Sequence, residues 1–214
     1  MAQMKVLLAD DHPIVLMGVR EIIERDPRFK VVGEALSPSG LIEKIPLLRP
    51  DVIITDYNMP GDEHYGDGSR LVEYLRRHFP EPRIIVLTVI SNPQVLTWLY
   101  DLGISGVISK SSGLEQILVA LDAFYREGHY QQDMPEGTSS EELDDVAQRL
   151  SQLTVKEFEV LRLFASGMAV GEVAQSLNRS IKTISTLKIS AMRKLDVDND
   201  QALLILCLKA NLFT

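Results

Sequence analysis

Three aspartates, a threonine and a lysine set out the chemistry open to this chain. Asp56 ends the apolar run Val52–Thr55, Asp10 and Asp11 end Val6–Ala9, Thr88 ends Ile84–Leu87, and Lys110 follows Gly106–Ser109. A lone Asp after a strand usually does no more than start a turn. Here such residues close four different strands, and ligands of open parallel sheets bind in the crevice outside those carboxyl ends. Carboxylates gathered from Asp10, Asp11 and Asp56 repel one another and need a counter-charge at neutral pH. Lys110 supplies one. A hard divalent cation supplies another, and Mg²⁺ suits a site with few carboxylates and several waters. Such an ion shields an incoming phosphoryl oxygen. Asp56 then reads as the nucleophile of a phosphoryl transfer, with Thr88 and Lys110 holding the remaining phosphoryl oxygens.

The elements that must position these groups alternate strand and helix five times over residues 4–127. Val52–Thr55 is apolar and β-branched without alternation, which marks a strand buried on both faces. Predicted helices run Ile14–Arg25, Ser39–Leu48, Arg70–His78, Pro93–Leu102 and Leu114–Arg126. The second and third end before Pro50 and Pro80, and the last two are closed by Gly103 and Gly128. Five βα units with short connections predict a doubly wound, flavodoxin-like parallel sheet of strand order 2-1-3-4-5.

Charge separates this front part from the rest. The net charge is −8. Residues 151–214 hold 8 basic and 6 acidic side chains, leaving 14 and 24 for the remainder, so the tail is mildly basic and the front strongly acidic. That asymmetry predicts two domains with different partners. Between them, residues 128–150 gather Gly, Pro, Ser, Thr and six acids with few large apolar residues, the composition of a linker. No run of 18 apolar residues suggests a membrane span, and the N-terminus does not read as a signal peptide, so a cytoplasmic location is expected. Cys207, the single cysteine, lies in an apolar run and reads as core.

Residues 151–214 predict a compact helical unit. Thr154-Val155-Lys156-Glu157 is a capping box, and Ser180 after the turn at Asn178-Arg179 is a natural N-cap. From Val173 to Leu195 there is no acid, while Arg179, Lys182, Lys188, Arg193 and Lys194 are basic. If Ile184, Leu187, Ala191 and Leu195 face inward, then Lys182, Thr183, Ser185, Thr186 and Lys188 are expected on the exposed arc. A basic helix behind a tight turn fits a helix-turn-helix, with Lys182 and Lys188 on phosphates and Ser185 and Thr186 at base edges. A domain of about 60 residues reads few base pairs, so a dimer on paired half-sites is expected.

Ala-Asp10-Asp11-His-Pro, Thr-Asp56-Tyr-Asn-Met-Pro, Val-Leu-Thr88 and Ile-Ser-Lys110 resemble the receiver domain of bacterial two-component response regulators. Residues 151–214 resemble the LuxR-type helix-turn-helix of the NarL/FixJ subfamily, through Leu153-Thr-x-x-Glu157, Val160-Leu, Gly167, Val173-Ala, Leu177, Ser180-x-Lys-Thr-Ile184 and Arg193-Lys-Leu195. The resemblance implies a receiver over 1–127, a linker over 128–150 and a four-helix DNA-binding domain over 151–214. It implies phosphorylation of Asp56 by a histidine kinase or phosphotransfer protein, with Asp10, Asp11, Asp56 and the backbone carbonyl of Asn58 holding Mg²⁺. Two departures stand out. Val107 occupies the place of the usual switch aromatic three residues before the lysine, and the loop Gly61–Gly68 is longer than usual. Val107 keeps open an alternative, a regulator that binds DNA but is controlled by hetero-association with an auxiliary regulator. An aspartyl-nucleophile phosphatase or mutase fits less well, because such enzymes need an acid two residues after the nucleophile, where this chain has Asn58. The expectation is therefore not an enzyme, beyond slow self-dephosphorylation.

Overall fold

In a computed structural model of the chain, residues 3–62, 64–90, 92–110, 113, 115–126 and 148–209 are described. They fall into two compact units, one comprising Met1–Thr88 with Leu99–Asp133, the other Val89–Trp98 with Met134–Thr214. The linker expectation for 128–150 lies almost wholly outside the described residues; 148–150 are helical.

Five strands, β1 (Met4–Ala9), β2 (Phe29–Ala35), β3 (Val52–Asp56), β4 (Arg83–Thr88) and β5 (Gly106–Ser109), form one parallel sheet in the order β2-β1-β3-β4-β5, as expected. The intervening helices are α1 (Pro13–Glu24), α2 (Pro38–Leu48), α3 (Gly68–His78), α4 (Pro93–Asp101) and α5 (Glu115–Arg126). All five residues of β3 are buried, which explains why its sequence does not alternate. Val6, Leu8, Ile54, Ile85, Leu87 and Ile108 pack on Leu16, Val19 and Ile23 of α1 and on Ile117, Leu121 and Phe124 of α5. The alternate residues Leu7, Ile53 and Val86 are equally buried and point to the opposite face. Arg49 ends α2 at φ 45° and Gly103 follows α4 at φ 89°, both left-handed conformations that stop a helix.

Register brings the strand ends level. Ala9 pairs with Thr55, Asp56 with Leu87 and Thr88 with Ser109, so Asp10, Asp56, Thr88 and Lys110 emerge along one edge.

The second unit carries α6 (Val155–Ala165), α7 (Val170–Ser176), α8 (Ile181–Lys194) and α9 (Asp200–Lys209). The capping box at Thr154 is present, with Glu157 Oε2 accepting the Thr154 N–H at 2.8 Å. Val160 and Leu163 of α6, Val173 and Ala174 of α7 and Ile184 of α8 form the core, with Leu177 and Leu187 packed at its margin. Asn178 takes φ 52° in the turn between α7 and α8, a conformation Asn tolerates. Ser180 Oγ then accepts the Thr183 N–H at 3.1 Å and starts α8. No described helix is long and apolar enough to cross a membrane.

Candidate functional site

At the carboxyl edge of the sheet, Lys110 Nζ lies 2.8 Å from Asp10 Oδ2 and 2.8 Å from Asp56 Oδ2. Both carboxylates are buried, at 1% and 4% exposure. Burial, opposed by the Lys110 bond and charge, pushes the Asp56 carboxyl up to about 6. Burial acts against Lys110 as well, yet its bonds to Asp10 and Asp56 outweigh it and hold the ammonium's pKa above the usual lysine value. One ammonium thus does not offset the burial of Asp56. The Asn58 backbone N–H donates to Asp56, and the Thr55 hydroxyl donates to the Asp56 carbonyl at 3.0 Å. Thr88 is buried at 3% exposure at the end of β4, beside these groups in register.

Asp11 completes the cluster. Ligand atoms from Asp10, Asp11, His12 and Asp56 all lie within 4.8 Å of one another. His12 Nδ1 comes within 2.8 Å of Asp11 Oδ1, an ion-pair distance, but without hydrogen-bond geometry, so this buried oxygen is left with no hydrogen bond. An orphaned carboxylate oxygen among two further buried acids fits a hard, oxygen-seeking cation. His12, absent from the sequence expectation, is held by the same acids: its N–H donates to Asp10 Oδ1 at 2.9 Å. Its place directly after the acid pair was the available signal. Val107 is buried on β5 and pairs with Val86. Its backbone hydrogen-bonds the half-buried Tyr100 hydroxyl, whose pKa burial raises.

In the second unit, Arg179, Lys182, Thr183 and Thr186 are exposed and Ser185 is partly so. Ile184, Ala191 and Leu195 are buried, as their spacing requires. Lys188 corrects the sequence reading. It is 8% exposed rather than on the open arc, with Nζ 2.7 Å from Asp200 Oδ2 and 3.7 Å above the Phe164 ring. It joins α8 to α6 and α9. The physical reason is that residue 188 borders the buried stripe, where a long lysine stem lies over apolar surface and its head finds an acid. The hydroxyl of Thr186 is taken up by its own helix, donating to the Lys182 carbonyl at 2.9 Å.

A second network escaped the sequence reading. Glu157, 4% exposed, accepts from Lys194 Nζ at 2.6 Å and from Ser190 Oγ at 2.7 Å, tying α6 to the last turns of α8. Burial opposes its ionisation, but the Lys194, Thr154 and Ser190 bonds hold it down to about 2. The capping box was legible locally; partners 33 and 37 residues away gave no signal.

The two lysines of α8 should therefore separate experimentally. Lys182→Ala is expected to shallow the plot of log DNA affinity against log salt by about one unit. Lys188→Ala is expected to leave the slope unchanged and to lower the unfolding midpoint instead. Salt titrations and urea melts of both variants check this, and a shallower slope for Lys188→Ala would contradict the geometry.

Comparison with known proteins agrees with this arrangement. Residues 6–122 match the response regulator receiver domain, and residues 151–207 match the bacterial regulatory proteins of the luxR family. The chain belongs to the two-component response regulators, as a receiver joined to a LuxR-type helical domain. It is similar to the transcriptional regulatory protein RcsB of Escherichia coli K12, 46% identical over 206 residues, which cover 95% of this chain and 94% of that one. Among solved structures, RcsB of Salmonella enterica serovar Typhimurium bound to a promoter with the phosphomimetic BeF3⁻ matches with TM-score 0.78 and 44% identity. That match covers 95% of this chain and 98% of the other. A structure of two RcsB dimers bound to two parallel DNAs matches with TM-score 0.78 and 45% identity, covering 96% and 98%.

Proposed function

We propose that this response regulator is a transcription factor switched by phosphorylation of Asp56, and that its active form binds DNA as a dimer through α8. The observation that carries the reading is the pair of buried acids bridged by Lys110 beside an Asp11 oxygen with no hydrogen bond. Asp10, Asp11, Asp56 and the Asn58 carbonyl would hold Mg²⁺, whose chemistry when bound is to offset charge on the phosphoryl oxygens. Asp56 attacks phosphorus in line as the bond to the donor breaks, the donor being a phosphohistidine of a kinase or phosphotransfer protein. Lys110, already against Asp56, and the Thr88 hydroxyl take the phosphoryl oxygens that Asp56 does not bond. Asn58 carries no proton-transfer group, so the aspartyl phosphate is lost slowly and the chain acts as a switch in the cytoplasm, not as a turnover enzyme. The RcsB structures with DNA and BeF3⁻ support this reading by likeness.

The test is binding of the full chain to DNA carrying one or two half-sites of a selected sequence, with and without acetyl phosphate and Mg²⁺. Paired sites are expected to bind at least about tenfold more tightly than single ones, and only after phosphorylation. Specific complexes commonly need about 10³-fold over non-specific binding, more than one small domain supplies. Equal affinity for single and paired sites would refute the dimer. Affinity indifferent to phosphorylation would favour control by hetero-association.

A further inference from the structure

On the exposed arc of α8 the middle is apolar, and we infer that Thr186 and Ile189 read thymine methyl groups on the floor of the major groove. This rests on the proposed DNA binding through α8. At about 100° per residue, Lys182, Thr186, Ile189 and Arg193 fall within an arc of roughly 60°. That arc lies opposite Ile184, Ala191 and Leu195, which are buried, and all four of its residues are exposed. Ile189 is 61% exposed and has no place in the domain core. Lys182 and Arg193 are about 16 Å apart along the axis at 1.5 Å per residue. That distance spans a major groove about 12 Å wide, so the two cations reach phosphates on its two walls while residues 186 and 189 sit over its floor.

What these two residues offer there is carbon. The Thr186 hydroxyl is bonded to the Lys182 carbonyl, which leaves its Cγ2 methyl as the outward group. Ile189 has no polar atom at all. With its donor committed to the helix backbone, Thr186 keeps only acceptor lone pairs, so the pair offers the bases no hydrogen-bond donor. The one feature of the major-groove floor that favours an apolar partner is the C5 methyl of thymine. A solitary exposed isoleucine is ordinary on a protein surface; one flanked by a hydroxyl turned away and by cations at both ends of the same arc is placed for contact.

The test replaces thymines by deoxyuridine, which removes the methyl and keeps every hydrogen bond. A half-site is first selected from random DNA with the full chain, treated with acetyl phosphate and Mg²⁺. Each thymine is then changed singly to deoxyuridine. At one or two positions affinity is expected to fall about fourfold, the loss for one buried methyl group, with an unchanged salt slope. Ile189→Ala, at an exposed position outside the domain core, should bind more weakly and lose the sensitivity at the thymine it reads, whereas Lys182→Ala should keep it. Tight, salt-dependent binding with no thymine position sensitive, or equal sensitivity in Ile189→Ala, overturns the methyl reading alone. Absence of salt-dependent binding to any DNA overturns the DNA-binding role itself, and this inference with it.

Discussion

Asp56→Asn is expected to abolish Mg²⁺-dependent incorporation of a phosphoryl group from acetyl phosphate, with a mass increment in the parent chain and none in the variant. The effect is all-or-none because the neutral amide lacks the carboxylate nucleophile, and among the described residues no other acid combines burial with Lys110 in the same way. Asp10, the other acid bonded to Lys110, is directed to the His12 N–H as well. The same substitution removes a buried acid that one ammonium does not satisfy. Its folded pKa of about 6 lies above the ordinary 3.8, so the folded state holds its proton to higher pH than the unfolded one. Stability from this group is then fully present below about pH 4 and lost as pH rises through 6. Asp56→Asn should consequently be no less stable than the parent at neutral pH. Asp11→Asn is expected to keep the mass increment but to demand more Mg²⁺, since Asp11 brings charge to the cluster without bonding Lys110. Undiminished labelling of Asp56→Asn, or an unchanged Mg²⁺ requirement in Asp11→Asn, would remove these residues from their assigned roles.

The second large effect lies at Glu157. Its pKa is held at about 2, below the ordinary 4.5, by the bonds described above. The stability this contributes is complete above about pH 4.5 and is lost as pH falls towards 2. At neutral pH it amounts to at most about 3 kcal/mol at 1.36 kcal/mol per pH unit. Glu157→Gln should therefore lower the protection of α6 and α8 amides in the full chain at pH 7 and flatten its dependence on pH between 4.5 and 2. It should also weaken binding to all DNA sequences alike, because Ser190 and Lys194 fix the end of α8 against α6. Hydrogen exchange across that pH range decides the matter, and parent-like protection in the variant would show the network to be without weight.

Most of the fold was legible because the signals were local and agreed. Continuous β-branched runs named the strands, Pro50, Pro80 and Gly103 named helix ends, and Thr154 and Ser180 named caps that the structure contains. Observed boundaries differ from the expected ones by one or two residues, as at α1, which begins at Pro13 rather than Ile14. The strand order expected from five βα units with short connections is the one observed. The acceptor residues were legible too, because strand ends of a parallel sheet must converge at one edge. What escaped was non-local. Lys188 reads as one more cation until Phe164 and Asp200 are placed beside it. Glu159 and Arg162, both buried in α6 and bonded at 2.9 Å, look like an ordinary surface pair in sequence because nothing nearby announces their burial. Periodicity says which side of a helix is inward, not which long side chain at the margin will bend across it.

The inward lysine also alters how this protein behaves among the many wrong sites of a genome. With Lys188 paired to Asp200, the α7–α8 turn and α8 keep Arg179, Lys182 and Arg193 as exposed cations. At roughly 0.9 of slope per phosphate neutralised, one copy of α8 has only about three such contacts with which to hold random sequence. The strongly acidic front of the chain is itself repelled by DNA. If the chain binds DNA as proposed, residence on arbitrary sequence is accordingly short, and long occupancy is reserved for addresses where two copies land together on matching half-sites. An internal ion pair would then set the noise floor of the search.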